Sequence, residues 1–131
     1  MDRAAKPSVL FLGTSEFAVH SLEALVASGY IIAGAVTRPD EPAGRKRLLT
    51  PPPVKAAALR FGIPVFQPRN LESGIWNLEL PVADLLIAAA YGKIIPQDIL
   101  SMPRLGALNV HPSLLPRWRG PSPIQYAILH G

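Results

Sequence analysis

The run Val9-Leu10-Phe11-Leu12 is apolar at four consecutive positions and is closed at once by Gly13-Thr14. A strand with one face in water alternates apolar and polar residues, whereas an unbroken apolar run reads as a strand buried on both faces of a parallel sheet. The same reading applies to Ile31–Thr37 and to Ala83–Ala90.

The segments between these runs supply the connections. Ser15 is placed to cap a helix running to roughly Ser28, with Ala18, Leu22, Leu25 and Val26 on one face and Gly29 as its stop. Together with its flanking strands this helix makes a βαβ unit, whose crossover is expected to be right-handed. Val54 to Phe61 reads as a short helix ended by Gly62, and Pro64 to Phe66 as a third strand. Asn70 to Leu80 is weakly patterned. Pro96 to Met102 reads as a helical turn or two, Gly106 to His111 as the next strand, and Pro121 to Leu129 as the start of a helix. Strands alternating with helices predict an α/β domain with a mostly parallel sheet.

With 131 residues, 49% of them hydrophobic and 17% charged, the chain has a globular composition and the length of one domain. It contains no cysteine, which excludes a disulfide framework and any thiolate metal site. The apolar run at the N-terminus is too short for a signal-peptide core, and no stretch approaches the ~20 apolar residues of a membrane span. A soluble intracellular protein is therefore expected.

The net charge of +4 is unevenly placed: Arg38, Arg45, Lys46, Arg47, Lys55 and Arg60 face only Asp40 and Glu41 in the same stretch. That stretch carries the whole excess, and localised charge of this kind suits an anionic partner. On composition alone, solvated loop charge is the simpler account. Arg38 to Pro53 holds five prolines and no periodicity, so it reads as a long loop. Loops of that length inside compact domains are usually functional.

Ligands of open α/β sheets bind beyond the carboxyl ends of the strands. The most polar such end is Asn109-Val110-His111-Pro112-Ser113. Side chains two apart on a strand point the same way, so Asn109 and His111 are expected to project together, away from Leu108 and Val110. An imidazole moves protons near neutral pH and an amide donates to a developing oxyanion, so the pair suits acyl transfer. Read alone, the same two residues also describe a satisfied polar cap on a strand.

The longer run Asn109-Val110-His111-Pro112-Ser113-Leu114-Leu115-Pro116-Arg117-Trp118-Arg119-Gly120 resembles the signature of the folate-dependent formyltransferases. Gly13-Thr14-Ser15-Glu16-Phe17-Ala18, Arg38-Pro39-Asp40-Glu41-Pro42-Ala43-Gly44-Arg45, Pro51-Pro52-Pro53-Val54-Lys55, Ala90-Tyr91-Gly92-Lys93-Ile94-Ile95-Pro96 and Pro103-Arg104-Leu105-Gly106 extend the likeness. They resemble the branch of the family whose acceptor is the initiator methionyl-tRNA, and the resemblance covers nearly all of the chain from Val9 onward.

The resemblance implies a Rossmann-like open, mostly parallel sheet with helices on both faces. It implies transfer of a formyl group from 10-formyltetrahydrofolate to the methionyl α-amine in translation initiation, without a metal, and with Asn109 and His111 as the catalytic pair. Ser113, Leu114, Leu115 and Pro116 are then part of the folate site. Tyr91, Gly92, Lys93, Ile94 and Ile95 line the pterin pocket; ordinary core is the alternative for the two isoleucines. Arg38, Arg45, Lys46 and Arg47 are the expected tRNA contacts. A cytoplasmic enzyme, or one of an organelle matrix of bacterial origin, and a full-length monomer are the further expectations.

The pattern departs at Ser15-Glu16, where proline and aspartate are usual, and at Lys46-Arg47-Leu48, where a glycine and two lysines are more typical. The resemblance also implies an essential aspartate a few dozen residues beyond the signature and a C-terminal β-barrel domain. Residues 1–131 are accordingly expected to be the N-terminal part of the catalytic domain, inert alone or at best a weak folate- or RNA-binding fragment. Formylation of glycinamide ribonucleotide is disfavoured, because that reaction needs a Gly-rich phosphate turn and Gly13 to Phe17 has a single glycine and a glutamate. Sugar-nucleotide formyltransferases lack the basic proline-rich loop, and a nicotinamide fingerprint is missing.

Overall fold

The computed structural model describes residues 6–69, 71 and 80–110, together with the backbone of 111, 112 and 124–129. Five strands run parallel: β1 (Val9–Gly13), β2 (Ile32–Val36), β5 (Val65–Phe66), β6 (Leu85–Ala89) and β7 (Ala107–Pro112). They lie in the order β5-β2-β1-β6-β7, and β8 (Ile124–Leu129) adds antiparallel to the outer edge of β7. Helices α1 (Glu16–Ala27), α2 (Pro53–Arg60) and α3 (Gln97–Leu100) fall where the sequence predicts them.

The unbroken apolar runs are explained by two cores, one on each face of the sheet. Val9, Phe11, Ile87, Ala89 and Val110 meet α1 and α2 residues such as Ala18, Leu22, Ala57 and Ala58 in the first. Leu10, Leu12, Leu86, Ala88 and Ala107 point the other way and meet Ile99 of α3, Leu71, Leu80 and Tyr91 in the second. Successive residues of one strand thus enter different cores, as the period of two demands. Gly29, at φ +89°, ends α1 as expected. Ser15 stands at its N-cap with extended φ and ψ but makes no side-chain capping bond, so its expected role rests on backbone alone.

Two expectations are corrected. The sequence predicts a helix opening over Pro121 to Leu129; the backbone of Ile124–Leu129 is instead a strand, with His111 opposite Gln125 and Val110 opposite Tyr126. Ile124, Tyr126 and Ile128 are good strand formers, and the edge of β7 offers unpaired N–H and C=O groups, so tertiary pairing overrides a weak helical preference. Arg38–Pro53 is not a structureless loop. Its middle folds into a two-stranded ribbon, β3 (Glu41–Ala43) with β4 (Leu48–Thr50), turning through Gly44 to Arg47. Every residue of the ribbon is exposed, so no apolar periodicity could announce it.

Candidate active site

The strand order reverses direction between β1 and β6, since β2 and β5 lie to one side of β1 while β6 and β7 lie to the other. A crevice opens at such a switch point, beyond the carboxyl ends. Gly13 ends β1 there, and no larger residue fits. A Cβ on it would lie 2.8 Å from the Ala18 Cβ, from the Ala89 carbonyl oxygen and from the Phe11 ring.

Thr14 follows and ties the crevice together. Its hydroxyl donates to the Tyr91 carbonyl at 2.6 Å and accepts from the Arg38 N–H at 3.3 Å. Its backbone N–H donates to the Ala90 carbonyl, and its carbonyl accepts from the Val54 N–H at the start of α2. These partners are distant in sequence, which is why no local pattern marks Thr14.

On the far side, Ala90 leaves β6 with φ +51°, a left-handed conformation that costs an alanine about 1–2 kcal/mol. Such strained residues concentrate at functional sites. Of the predicted pterin-pocket residues, Tyr91 is buried in the second core, and its hydroxyl finds no partner among the described residues. Burial raises its pKa above the ordinary tyrosine value, so it stays a neutral donor at neutral pH. Gly92 adopts φ +95° with the Arg38 side chain lying against it. Lys93 donates to the Arg69 carbonyl at 2.6 Å, Ile94 is 90% exposed, and Ile95 is half-buried against the second core. The two isoleucines therefore divide: Ile94 is free to meet a ligand, while Ile95 serves the core.

Asn109 lies on β7 opposite Ala88 of β6, half-buried and on the face that Ala107 shares with the second core. Leu108 and Val110 pack into the first core, as the alternation predicts. The backbone carries on through His111 and Pro112, past the end of β6, so position 111 lies beside the loop that leaves Ala89. The side chain of His111 and the predicted folate turn Ser113, Leu114, Leu115 and Pro116 lie outside the described residues.

The predicted RNA contacts split into two places. Arg45, Lys46 and Arg47 occupy the exposed turn of the ribbon, where Gly44 (φ +76°) and Arg47 (φ +55°) adopt left-handed conformations. Arg38 lies at the foot of the ribbon, bonded to Glu41 at 3.0 Å. The same foot is anchored by Asp40, which accepts from Gln67 at 2.7 Å and from Lys55 at 3.2 Å. The Gln67 hydrogen bond, helped by Lys55, holds the Asp40 carboxyl below its ordinary pKa. Between the ribbon and the sheet is a cavity of about 250 Å³ lined by Thr14, Arg38, Pro42, Thr50 and Pro51 to Pro53 among others.

No group of three or more His, Asp or Glu among the described residues is arranged to hold a metal. No helix among them is long and apolar enough to cross a membrane.

A doubly covered, mostly parallel sheet with a strand order that reverses at β1 and β6 defines the chain as an α/β protein of the open, Rossmann-like kind. The sequence profile described as "Formyl transferase" matches residues 6–131. The chain belongs to the formyl transferase family.

The chain is similar to the methionyl-tRNA formyltransferase of Chloroflexus aggregans, 54% identical over 125 residues, covering 94% of this chain and 40% of that protein. It resembles the enzyme of the same name from Syntrophus aciditrophicus at 51% identity over 129 residues, or 97% of this chain and 41% of the relative. The Listeria innocua enzyme of that name is 54% identical over 94% of this chain and 40% of its own length. The chain thus spans about two-fifths of these relatives. Among solved structures, the phosphoribosylglycinamide formyltransferase of Coxiella burnetii in complex with CHES superposes with a TM-score of 0.52. That match covers 90% of this chain and 56% of the other at 15% identity, and it speaks to the fold alone.

Proposed function

We propose that the chain forms the donor-binding and catalytic face of an enzyme transferring a formyl group from 10-formyltetrahydrofolate to the α-amine of initiator methionyl-tRNA. The observation that carries this reading is the likeness, across both the basic ribbon and β7, to relatives that bear that enzyme's name. The folate supplies an activated formyl carbon. The fit is chemical: the crevice beside β6 offers the exposed apolar Ile94 beside the polar backbone of its loop, suited to a flat heterocycle with polar edges.

In this reading Asn109 donates to the oxyanion that develops on the formyl oxygen, and His111 moves a proton between the attacking amine and the leaving nitrogen. Orientation of the two reactants supplies the remainder, without a covalent intermediate on the protein. Ser113 to Pro116 close the folate site in this reading, while Arg38 and the Arg45–Arg47 turn meet phosphates of the acceptor arm. The cytoplasm, where initiator tRNA is charged, is the compartment proposed.

Grafting residues 6–131 into the Chloroflexus aggregans relative, in place of its matching segment, tests the assignment. The chimera should formylate methionyl-tRNA with 10-formyltetrahydrofolate; a folded chimera without that activity refutes it.

A further inference from the structure

Thr14 joins the end of β1 to segments that carry different parts of the proposed chemistry. Its hydroxyl holds the Tyr91 carbonyl on one side and the Arg38 N–H on the other, at 2.6 and 3.3 Å. A second link runs parallel to the first. The Arg38 side chain rests on Gly92, where an added Cβ would come within 3.1 Å of the Arg38 Cδ. Arg38 in turn grips Glu41 in the first strand of the ribbon. The foot of the ribbon and the loop leaving β6 are therefore mechanically continuous.

The loop is strained at its first residue. Ala90 is held at φ +51°, outside the basins an alanine prefers. Relaxing it would swing the Tyr91 carbonyl away from the Thr14 hydroxyl and unseat Gly92 from Arg38. The Thr14 hydroxyl bond to the Tyr91 carbonyl is one of the contacts that hold the loop in this strained arrangement.

We propose that Thr14 is a positioning residue that couples the two sites. Through Tyr91 on one side and Arg38 on the other, it sets the Ala90–Ile95 loop and the foot of the ribbon in one arrangement. A polyanionic RNA on the ribbon and a reduced folate at the loop then each favour binding of the other, reciprocally. The naming of the two ligands rests on the functional reading above; the link between the segments does not.

The chimera carrying residues 6–131 serves for the test, with 5-formyltetrahydrofolate and a methionylated acceptor-stem minihelix as probes. Thr14→Val keeps the shape of the side chain and removes its hydroxyl, whereas Thr14→Ser keeps the hydroxyl. Amide hydrogen exchange at Arg38 and across Ala90–Ile95 should quicken in Thr14→Val on the order of 5- to 10-fold, the worth of one hydrogen bond. It should return to parental rates in Thr14→Ser, while β1 and β6 interiors stay protected in both. In the parent, saturating minihelix should tighten 5-formyltetrahydrofolate binding by at least ~5-fold, and Thr14→Val should abolish that coupling.

Unchanged exchange at both segments, or coupling that survives Thr14→Val, overturns the proposal. A chimera that binds neither probe refutes the ligand assignment, and the exchange at Arg38 and the loop still decides whether Thr14 joins them. Should Thr14→Val fail to fold, Thr14→Ala removes the same hydroxyl with less bulk and must quicken exchange at Arg38 and the loop for the proposal to stand.

Discussion

Asn109 and His111 stand two positions apart near the carboxyl end of β7, with Leu108 and Val110 committed to the core behind them. Asn109 is half-buried on the face turned away from the first core, so its replacement leaves the packing of Leu108 and Val110 in place. In the grafted enzyme, Asn109→Ala and His111→Ala should each lower kcat by at least ~10², with the thermal midpoint nearly unchanged. Steady-state kinetics beside a melting curve decides it, and turnover close to the parent's would remove that residue from the mechanism. The strand and the alternation of Leu108, Asn109 and Val110 were legible in the sequence, because a period of two is a local property. Thr14 was not, because its hydroxyl bonds reach partners 24 and 77 positions away.

Elements show the same division between local and distant causes. Helix α1 begins after Ser15, a residue type suited to capping, yet that side chain makes no capping bond. Ser15→Ala should therefore cost less than ~0.5 kcal/mol, against the ~1 kcal/mol of a working cap. A chemical denaturation midpoint shift corresponding to a full cap would show that the bond forms in solution. The ribbon presents Arg45, Lys46 and Arg47 at an exposed turn while Asp40 and Arg38 fix its foot. Changing the three turn residues to alanine should weaken acceptor RNA binding. The slope of log K against log salt should shrink by roughly 0.7–0.9 for each phosphate that is no longer neutralised. Folate affinity measured without RNA should not move. Equal slopes in the two proteins would reduce the turn to solvated charge.

Across the whole molecule, the edge of the sheet opposite the crevice is closed by Asp84. Its carboxylate accepts from the Ser8 N–H at 3.0 Å and from the Arg104 guanidinium at 2.8 Å, tying the entries of β1, β6 and β7. The Ser8 N–H first, and Arg104 after it, hold this carboxyl below its ordinary pKa. A group more acidic folded than unfolded stabilises the fold above its unfolded pKa, and that contribution is lost as pH falls through the folded value. The thermal midpoint should thus drop as pH is lowered below about 4, the ordinary range for aspartate. Asp84→Asn should flatten part of that drop, leaving the share due to Asp40, which is acidified in the same direction. A variant whose acid profile matches the parent's would show that the Ser8–Asp84–Arg104 link contributes nothing to the fold.

What the sequence determined by itself is whatever depends on neighbours in the chain. The unbroken apolar runs placed β1, β2 and β6, Gly29 and Gly62 placed the ends of α1 and α2, and the alternation around Asn109 separated a core face from a polar one. Only the tertiary structure decided the strand order, the pairing of Glu41–Ala43 with Leu48–Thr50, and the strand rather than helix at Ile124–Leu129. It alone also brought Thr14, Arg38, Tyr91 and Gly92 together at the crevice. Backbone N–H and C=O groups must find partners wherever the folded chain offers them, and those partners are fixed by which strands lie side by side.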